Sequence, residues 1–387
     1  MPGTVAPNNA LATEPATGNL SFVLQEIENV SFEDRPIVAP KPGQVQVNIR
    51  QTGICASDCH YVHHGRIGDF VVRKPMVLGH ESAGIVTAVG EGVTTHKVGD
   101  RVALEPGVPC RSCQSCLNGM YNQCPDLEFA ATPPHDGTLC TYYNIQSSFA
   151  HHVPDHLSLE EASLMEPLSV AVYSAGMRGQ VKAMENVLVF GAGPIGLLNA
   201  AVCKAYSAKR VVIVDVVDSK LEFATNWCAT SSFKPSLPKE GETKAESSAR
   251  NASTLINEIG DDVALNGGFD LVLECTGAEP CINMGIQALR PQGRFVQVGM
   301  GRSEVEFPIT RVCVKEINVT GSFRYGAGTY KTSINLVSTG AIDITKMVTH
   351  RFLFKDAVKA FETCTKGVGE DGKTAIKVQI SQGEGKQ

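Results

Sequence analysis

Residues 186–215, NVLVFGAGPIGLLNAAVCKAYSAKRVVIVD, decide the fold. An apolar run, a glycine turn, a helical apolar stretch and a second apolar run follow one another, the pattern of two parallel strands joined by a crossover helix. Gly191, Gly193 and Gly196 form G-x-G-x-x-G between the first run and the helix. The first glycine permits a tight turn, the second lets a pyrophosphate approach the backbone, and the third lets helix and strand pack closely. Asp215 ends the second run, 19 residues beyond Gly196, where a carboxylate can accept bonds from adenosine ribose hydroxyls. That charge repels a 2′-phosphate, and no Arg follows in DVVDSK, so the pattern favours NAD over NADP. A glycine turn that merely packs would leave Asp215 without a purpose.

Working outward, FDLVLECTG, GRFVQVGM and INVTGSF read as further buried strands, and ATSSF as a weaker one. The count reaches six, as a complete doubly wound parallel sheet requires. The stretch KPSLPKEGETKAESSARNAS reads as a surface loop running into a solvated helix. From about Leu20 to Glu166 the period is different. VQVNIRQTGI and GIVTAVGEGV are short strands between Gly signals, so the fold class is α/β with a β-rich half ahead of the parallel sheet. After Tyr330 the pattern gives one amphipathic helix, a turn and the closing strand TAIKVQI. No internal repeat is visible.

At 387 residues and 43% hydrophobic, the chain can bury two cores. A formal net charge of -6, with no basic cluster, argues against nucleic acid as a partner. Residues 1–19 lack a charged start and an apolar stretch, so they read as a disordered tail and not as a signal peptide. No apolar run reaches the length of a membrane span, and the expected compartment is the cytoplasm.

Thirteen cysteines make an odd number in a long chain, which disfavours a disulfide framework. Four of them, Cys110, Cys113, Cys116 and Cys124, fall within PGVPCRSCQSCLNGMYNQC. The segment has almost no apolar residues to bury them, so unrelated core thiols are the poorer reading. The spacing suits one loop wrapped around a tetrahedral zinc. Four thiolates close the coordination sphere, which makes this zinc structural.

A second donor set is dispersed: Cys55 in TGICASDCH, His80 and Glu81 in VLGHES, and Glu166 in LMEPLS. Taken singly, each reads as an ordinary structural residue. GICASD, GHESAG, the four-cysteine segment, MEPL and GAGPIG nevertheless occur in the order of the zinc-dependent medium-chain alcohol dehydrogenase family, which the chain resembles. HYVHHGRIGDFVVRKPMVLGHE, ATPPHDGTL, LECTGAEP and GSFRYG resemble its polyol branch, the sorbitol dehydrogenases and D-xylulose reductases.

The resemblance implies a GroES-like catalytic domain of residues 20–167 and 328–387, around a Rossmann NAD-binding domain of residues 168–327. It implies that Cys55, His80 and Glu81 hold a catalytic zinc, with Glu166 ligating directly or through water, giving two zinc ions per chain. Ser57 and His60 match the proton relay, although His60 also reads as a surface histidine. Tyr61, Phe70, Glu166 and Arg324 match substrate positions; Arg324 also reads as an ion pair between the lobes. Gly191, Gly193, Pro194, Ile195, Gly196, Asp215, Val298, Phe323 and Arg324 match the cofactor site.

The implied reaction is oxidation of xylitol or sorbitol at C2 to the ketose, with L-arabinitol 4-dehydrogenase as the alternative. A non-catalytic dinucleotide-binding redox sensor is a remote alternative, because the zinc donor set is intact. Ala56 stands where the family usually has Gly, and Val62 where it has Trp, so the choice of polyol is the point most exposed to change. The family also implies a homotetramer, with the strand at NVTGSF as a pairing edge.

Overall fold

The computed structural model describes residues 17–383. Two sheets organise them. The first is seven-stranded, in the order Ala150–His152, Arg101–Leu104, Glu81–Val89, Gln44–Gly53, Lys377–Ser381 and Val348–Leu353, with Tyr142–Gln146 also pairing on Gln44–Gly53. Gln44–Gly53 is the hub. Its apolar residues Val45, Val47 and Ile49 are fully buried, and it pairs antiparallel with Glu81–Val89 along nearly its whole length. At its far end Gln51–Gly53 meets Ser381–Gln379, so the C-terminal strand completes the sheet that carries the dispersed donors.

The second sheet is six-stranded and parallel, in the order Ser231–Phe233, Arg210–Val214, Asn186–Phe190, Phe269–Glu274, Leu289–Gln297 and Asn318–Gly321. The direction of winding reverses beside Asn186–Phe190, where a ligand crevice forms outside the strand ends. Helix Pro194–Ala205 starts at that reversal, with Pro at its first turn. Gly191 has φ +93°, and a Cβ on Gly196 would come within 1.8 Å of the Gly191 carbonyl oxygen. Neither position accepts a side chain. Helix Met165–Ala171 and helix Thr329–Ser338 pack between the sheets, and one apolar cluster runs from Ala83 and Phe129 through Leu164 and Leu168 to Leu271 and Val296. The expected α/β fold, GroES-like plus Rossmann, is the fold found.

Three sequence readings need correction. Residues 1–16 of the expected tail lie outside the described residues, but Thr17 opens a ten-residue strand, Thr17–Glu26, paired with Asn29–Pro36. The segment after Tyr330 holds a second helix, Ala357–Lys366, and a second strand, Val348–Leu353. That strand alternates only weakly between buried and exposed residues, because it is an edge. The helix Lys244–Ile259 is not solvated all round: Ser247, Ser248, Asn251, Ala252 and Leu255 are buried. Small polar residues form much of that face, and Ser248 Oγ donates to the Pro280 carbonyl, so hydropathy alone hides it. No helix among the described residues is long and apolar enough to cross a membrane.

Candidate active site

Cys55 is the N-cap of helix Ala56–His64. Asp58, three residues on and fully buried, accepts from the Cys55 amide at 3.3 Å and from the Gly79 amide at 3.0 Å. One carboxylate therefore ties the turn carrying Cys55 to the turn carrying His80. His80 Nδ1 lies 3.4 Å from Asp58 Oδ2, which leaves Nε2 free to ligate. Glu81 opens the strand beside Gly53, and a Cβ at residue 53 would meet its carboxylate at 2.2 Å. One donor atom each from Cys55, His80 and Glu81 lie within 4.8 Å of one another.

This pocket is short of positive charge. Burial works against a charged imidazole, yet Asp58 and Cys55 hold His80 well above the ordinary histidine range. Lys377, itself buried, supplies one cation: its Nζ donates to both Glu81 oxygens at 2.7 Å and to the Ile54 carbonyl at 3.1 Å. A thiol, an imidazole and a carboxylate at this spacing form a fitting donor set for zinc with a position left open. Glu166 is buried on helix Met165–Ala171 and falls outside the three-donor cluster. Burial, with the Glu81 charge adding to it, pushes its carboxyl up to about 7.

The substrate candidates lie around this pocket. Arg324, with φ 52°, stacks its guanidinium 3.8 Å from the Phe129 ring centre and 5.8 Å from that of Phe70. Its Nη2 donates to Thr132 Oγ1 at 3.3 Å, and no carboxylate pairs with it among the described residues. The contact does join the two halves, but as a cation on aromatic faces whose remaining donors are free. Tyr61 is buried, which raises its hydroxyl above the ordinary phenol range, while Phe70 is 41% exposed. Ser57 is half-buried, His60 is exposed, and no hydrogen bond joins them. A cavity of about 350 Å³ bounded by Phe70, Arg73, Lys74 and Pro134 opens beside Phe70, and none of the three donors lines it.

On the cofactor side, Asp215 Oδ2 accepts from the Ala192 amide at 2.7 Å and Oδ1 from the Val217 amide at 3.0 Å. The carboxylate thus shapes the glycine turn, a structural purpose that the sequence pattern did not reveal. Gly193 caps helix Pro194–Ala205, with Ile195 in its first turn, and a Cβ there would touch nothing within 4 Å. That open space above a helix N-terminus suits a pyrophosphate. Val298 is placed by its amide, which donates to the Glu274 carbonyl at 2.8 Å, and the Phe323 carbonyl accepts from Asn122 Nδ2 at 2.9 Å.

Asn122 belongs to the four-cysteine loop. There the Cys113 amide points at Cys110 Sγ, 3.3 Å away, and the Cys110 amide at Cys124 Sγ, 3.4 Å away. Cys113 and Cys116 sulfurs are 3.5 Å apart, and those of Cys110 and Cys116 4.0 Å. Disulfides would need about 2.05 Å, whereas the edge of a zinc–thiolate tetrahedron is about 3.8 Å for Zn–S bonds near 2.3 Å. Backbone amides of Ser112 and Cys113 pull the Cys110 thiol down to about 6, whereas burial raises those of Cys116, to about 12, and Cys124.

Two family models match: an alcohol dehydrogenase GroES-like domain over residues 41–155 and a zinc-binding dehydrogenase over residues 194–339. The chain belongs to the zinc-dependent alcohol dehydrogenase family. This dehydrogenase is 49% identical to D-xylulose reductase A of Aspergillus oryzae, over 91% of the chain and 95% of that protein. It is also 49% identical to a probable D-xylulose reductase A of Emericella nidulans, over 92% and 96%. Among solved structures, L-idonate 5-dehydrogenase from Escherichia coli superposes with a TM-score of 0.82 at 28% identity, covering 95% of this chain and all of that one. An alcohol dehydrogenase from E. coli CFT073, complexed with NADH, gives 0.82 at 27%, covering 94% and 99%.

Asp58 and Lys377 are the site residues that sequence reading missed. Asp58 had a signal, an acidic residue at the third position of a helix capped by the ligand cysteine in CASD. Lys377 had only the oddity of a lysine inside the apolar strand AIKVQI.

Proposed function

We propose that this dehydrogenase interconverts xylitol and D-xylulose with NAD, the other C2 polyol, sorbitol, being the nearest competitor. The observation that carries the reading is the cluster of half-buried Cys55 with buried His80 and Glu81, in a chain 49% identical over 91% of its length to a D-xylulose reductase. In the balanced reaction a secondary alcohol and NAD⁺ give a ketone, NADH and a proton. Zinc, when bound, supplies the Lewis acidity that eases loss of the hydroxyl proton near neutral pH, and NAD takes the hydride.

The chain's own residues do the rest. Cys55, His80 and Glu81 hold the metal, Asp58 and Lys377 orient two of these donors, and Glu166 stands beside them as a direct or water-bridged ligand. Ser57 and His60 carry the proton outward. Tyr61, Phe70 and Arg324 bind the polyol, with the free Arg324 donors suited to neighbouring oxygens. Gly191, Gly193, Pro194, Ile195, Gly196, Asp215, Val298, Phe323 and Arg324 seat the dinucleotide, and Cys110, Cys113, Cys116 and Cys124 hold the second, structural zinc. The reading places residues 20–167 and 328–387 in the catalytic domain and 168–327 in the Rossmann domain. It takes the enzyme as a cytoplasmic homotetramer, for which the outer strand Asn318–Gly321, with Val319 exposed, offers a pairing edge.

Steady-state kcat/KM for xylitol, sorbitol and L-arabinitol, each with NAD and NADP, tests the proposal. Xylitol with NAD should lead. A lead for L-arabinitol overturns the substrate, and equal use of NADP overturns the role of Asp215.

A further inference from the structure

Helix Ala56–His64 carries two histidines four residues apart, His60 and His64, besides the Cys55 donor at its start. Side chains at this spacing lie on one helix face. The two ring centres are 4.4 Å apart with planes at 58°, and both residues are exposed. Neither ring takes part in a hydrogen bond among the described residues. Their neighbour His63 is differently employed, with Nδ1 2.7 Å from Glu28 Oε1 and Nε2 3.0 Å from Thr365 Oγ1.

A second close pair sharpens the contrast. His96 and His152 stack at 4.3 Å, but each Nε2 contacts a backbone carbonyl, at Ala150 and Thr95, and His96 Nδ1 contacts the Thr95 hydroxyl. Those rings have little left to offer an ion. His60 and His64 keep their nitrogens free.

We propose that His60 and His64 form a bidentate site for a borderline divalent transition metal such as Ni²⁺, Cu²⁺ or Zn²⁺, separate from the Cys55 cluster. Imidazole suits these ions, and a histidine pair at i and i+4 on a helix presents two nitrogens to one of them. At metal–nitrogen distances of about 2.0–2.1 Å, ring centres 4.4 Å apart need only side-chain rotation to converge. Two protein ligands leave the remaining positions to water, so the ion binds reversibly. A metal on His60 also removes that ring from proton transfer, a consequence that rests on the relay role proposed above. The ion then slows turnover without displacing the metal at Cys55.

Calorimetric titration of Ni²⁺ into untagged, zinc-loaded enzyme tests the site, alongside His64→Ala and His64→Gln, both tolerable at an exposed helical position. Wild type should bind nickel, and each variant at least about tenfold more weakly, having lost one of two nitrogen ligands. Turnover of the variants without nickel should match wild type. Nickel should slow xylitol oxidation by wild type, reversibly on dilution, and spare the variants. Equal nickel affinity in all three proteins overturns the proposal. Binding that depends on His64, with turnover of wild type untouched by nickel, upholds the metal site and removes His60 from the relay.

Discussion

The four-cysteine loop and the Cys55 pocket both bring donors within 4.8 Å, by opposite means. The loop draws its donors from residues 110–124, a contiguous stretch with two short helical turns, Gln114–Leu117 and Tyr121–Gln123, and three of its four thiols half-exposed. Its sulfurs are positioned by local backbone turns, such as the Leu117 amide donating to the Cys113 carbonyl at 3.0 Å, and by amide-to-sulfur contacts. The pocket draws on a helix cap and a strand start, and its His80 and Glu81 are buried. There Asp58 and Lys377 fix the donors before any ion arrives. Under the proposed function the loop would depend on its metal for shape, while the pocket takes its shape from the protein and would use the metal for chemistry.

The largest expected effect breaks the pocket. His80→Ala should fold and still bind NAD, since the parallel sheet is built elsewhere, yet oxidise xylitol at least about 10³-fold more slowly because stabilisation of charge at the metal is worth several kcal/mol. Thermal melts, NAD titration and turnover on one preparation check it. Wild-type turnover from this variant would mean that the reacting centre is elsewhere.

A smaller effect is expected from the loop. Cys113→Ser should lower the melting temperature by several degrees, because metal binding there is folding free energy. Molecules that remain folded should turn over at near the wild-type rate. If Cys113→Ser instead abolishes turnover at unchanged melting temperature, the two sites have exchanged roles.

The same contrast explains what could be read from sequence. The loop is local, so spacing alone exposes it. The parallel sheet is legible for a similar reason: each strand from Asn186–Phe190 to Asn318–Gly321 follows a change in local period. The pocket has no local signature, and its donors emerge only through family resemblance. Its support is still less visible, since Lys377 and Glu81 are 296 residues apart and each contradicts the apolar strand around it. Their pairing makes either burial tolerable. The edge strand Val348–Leu353 and the small-residue face of Lys244–Ile259 were hidden because tertiary packing, not pattern, decides them.

The two regions are also joined. Asn122 is buried at the foot of the loop, and its Nδ2 donates to the Phe323 carbonyl, one residue before Arg324. If the loop's shape serves the cleft, this bond is a route by which it does so. Asn122→Ala removes the donor and leaves the loop's cysteines intact. A lost buried hydrogen bond costs about 1 kcal/mol, so KM for NAD or xylitol should rise about fivefold if Phe323 and Arg324 lose their placement. The kcat should stay within about twofold, because the Cys55 pocket is untouched. A purely structural role for Asn122 would lower the melting temperature while leaving KM unchanged. That result would confine the loop to stability and cut the proposed connection between the two regions.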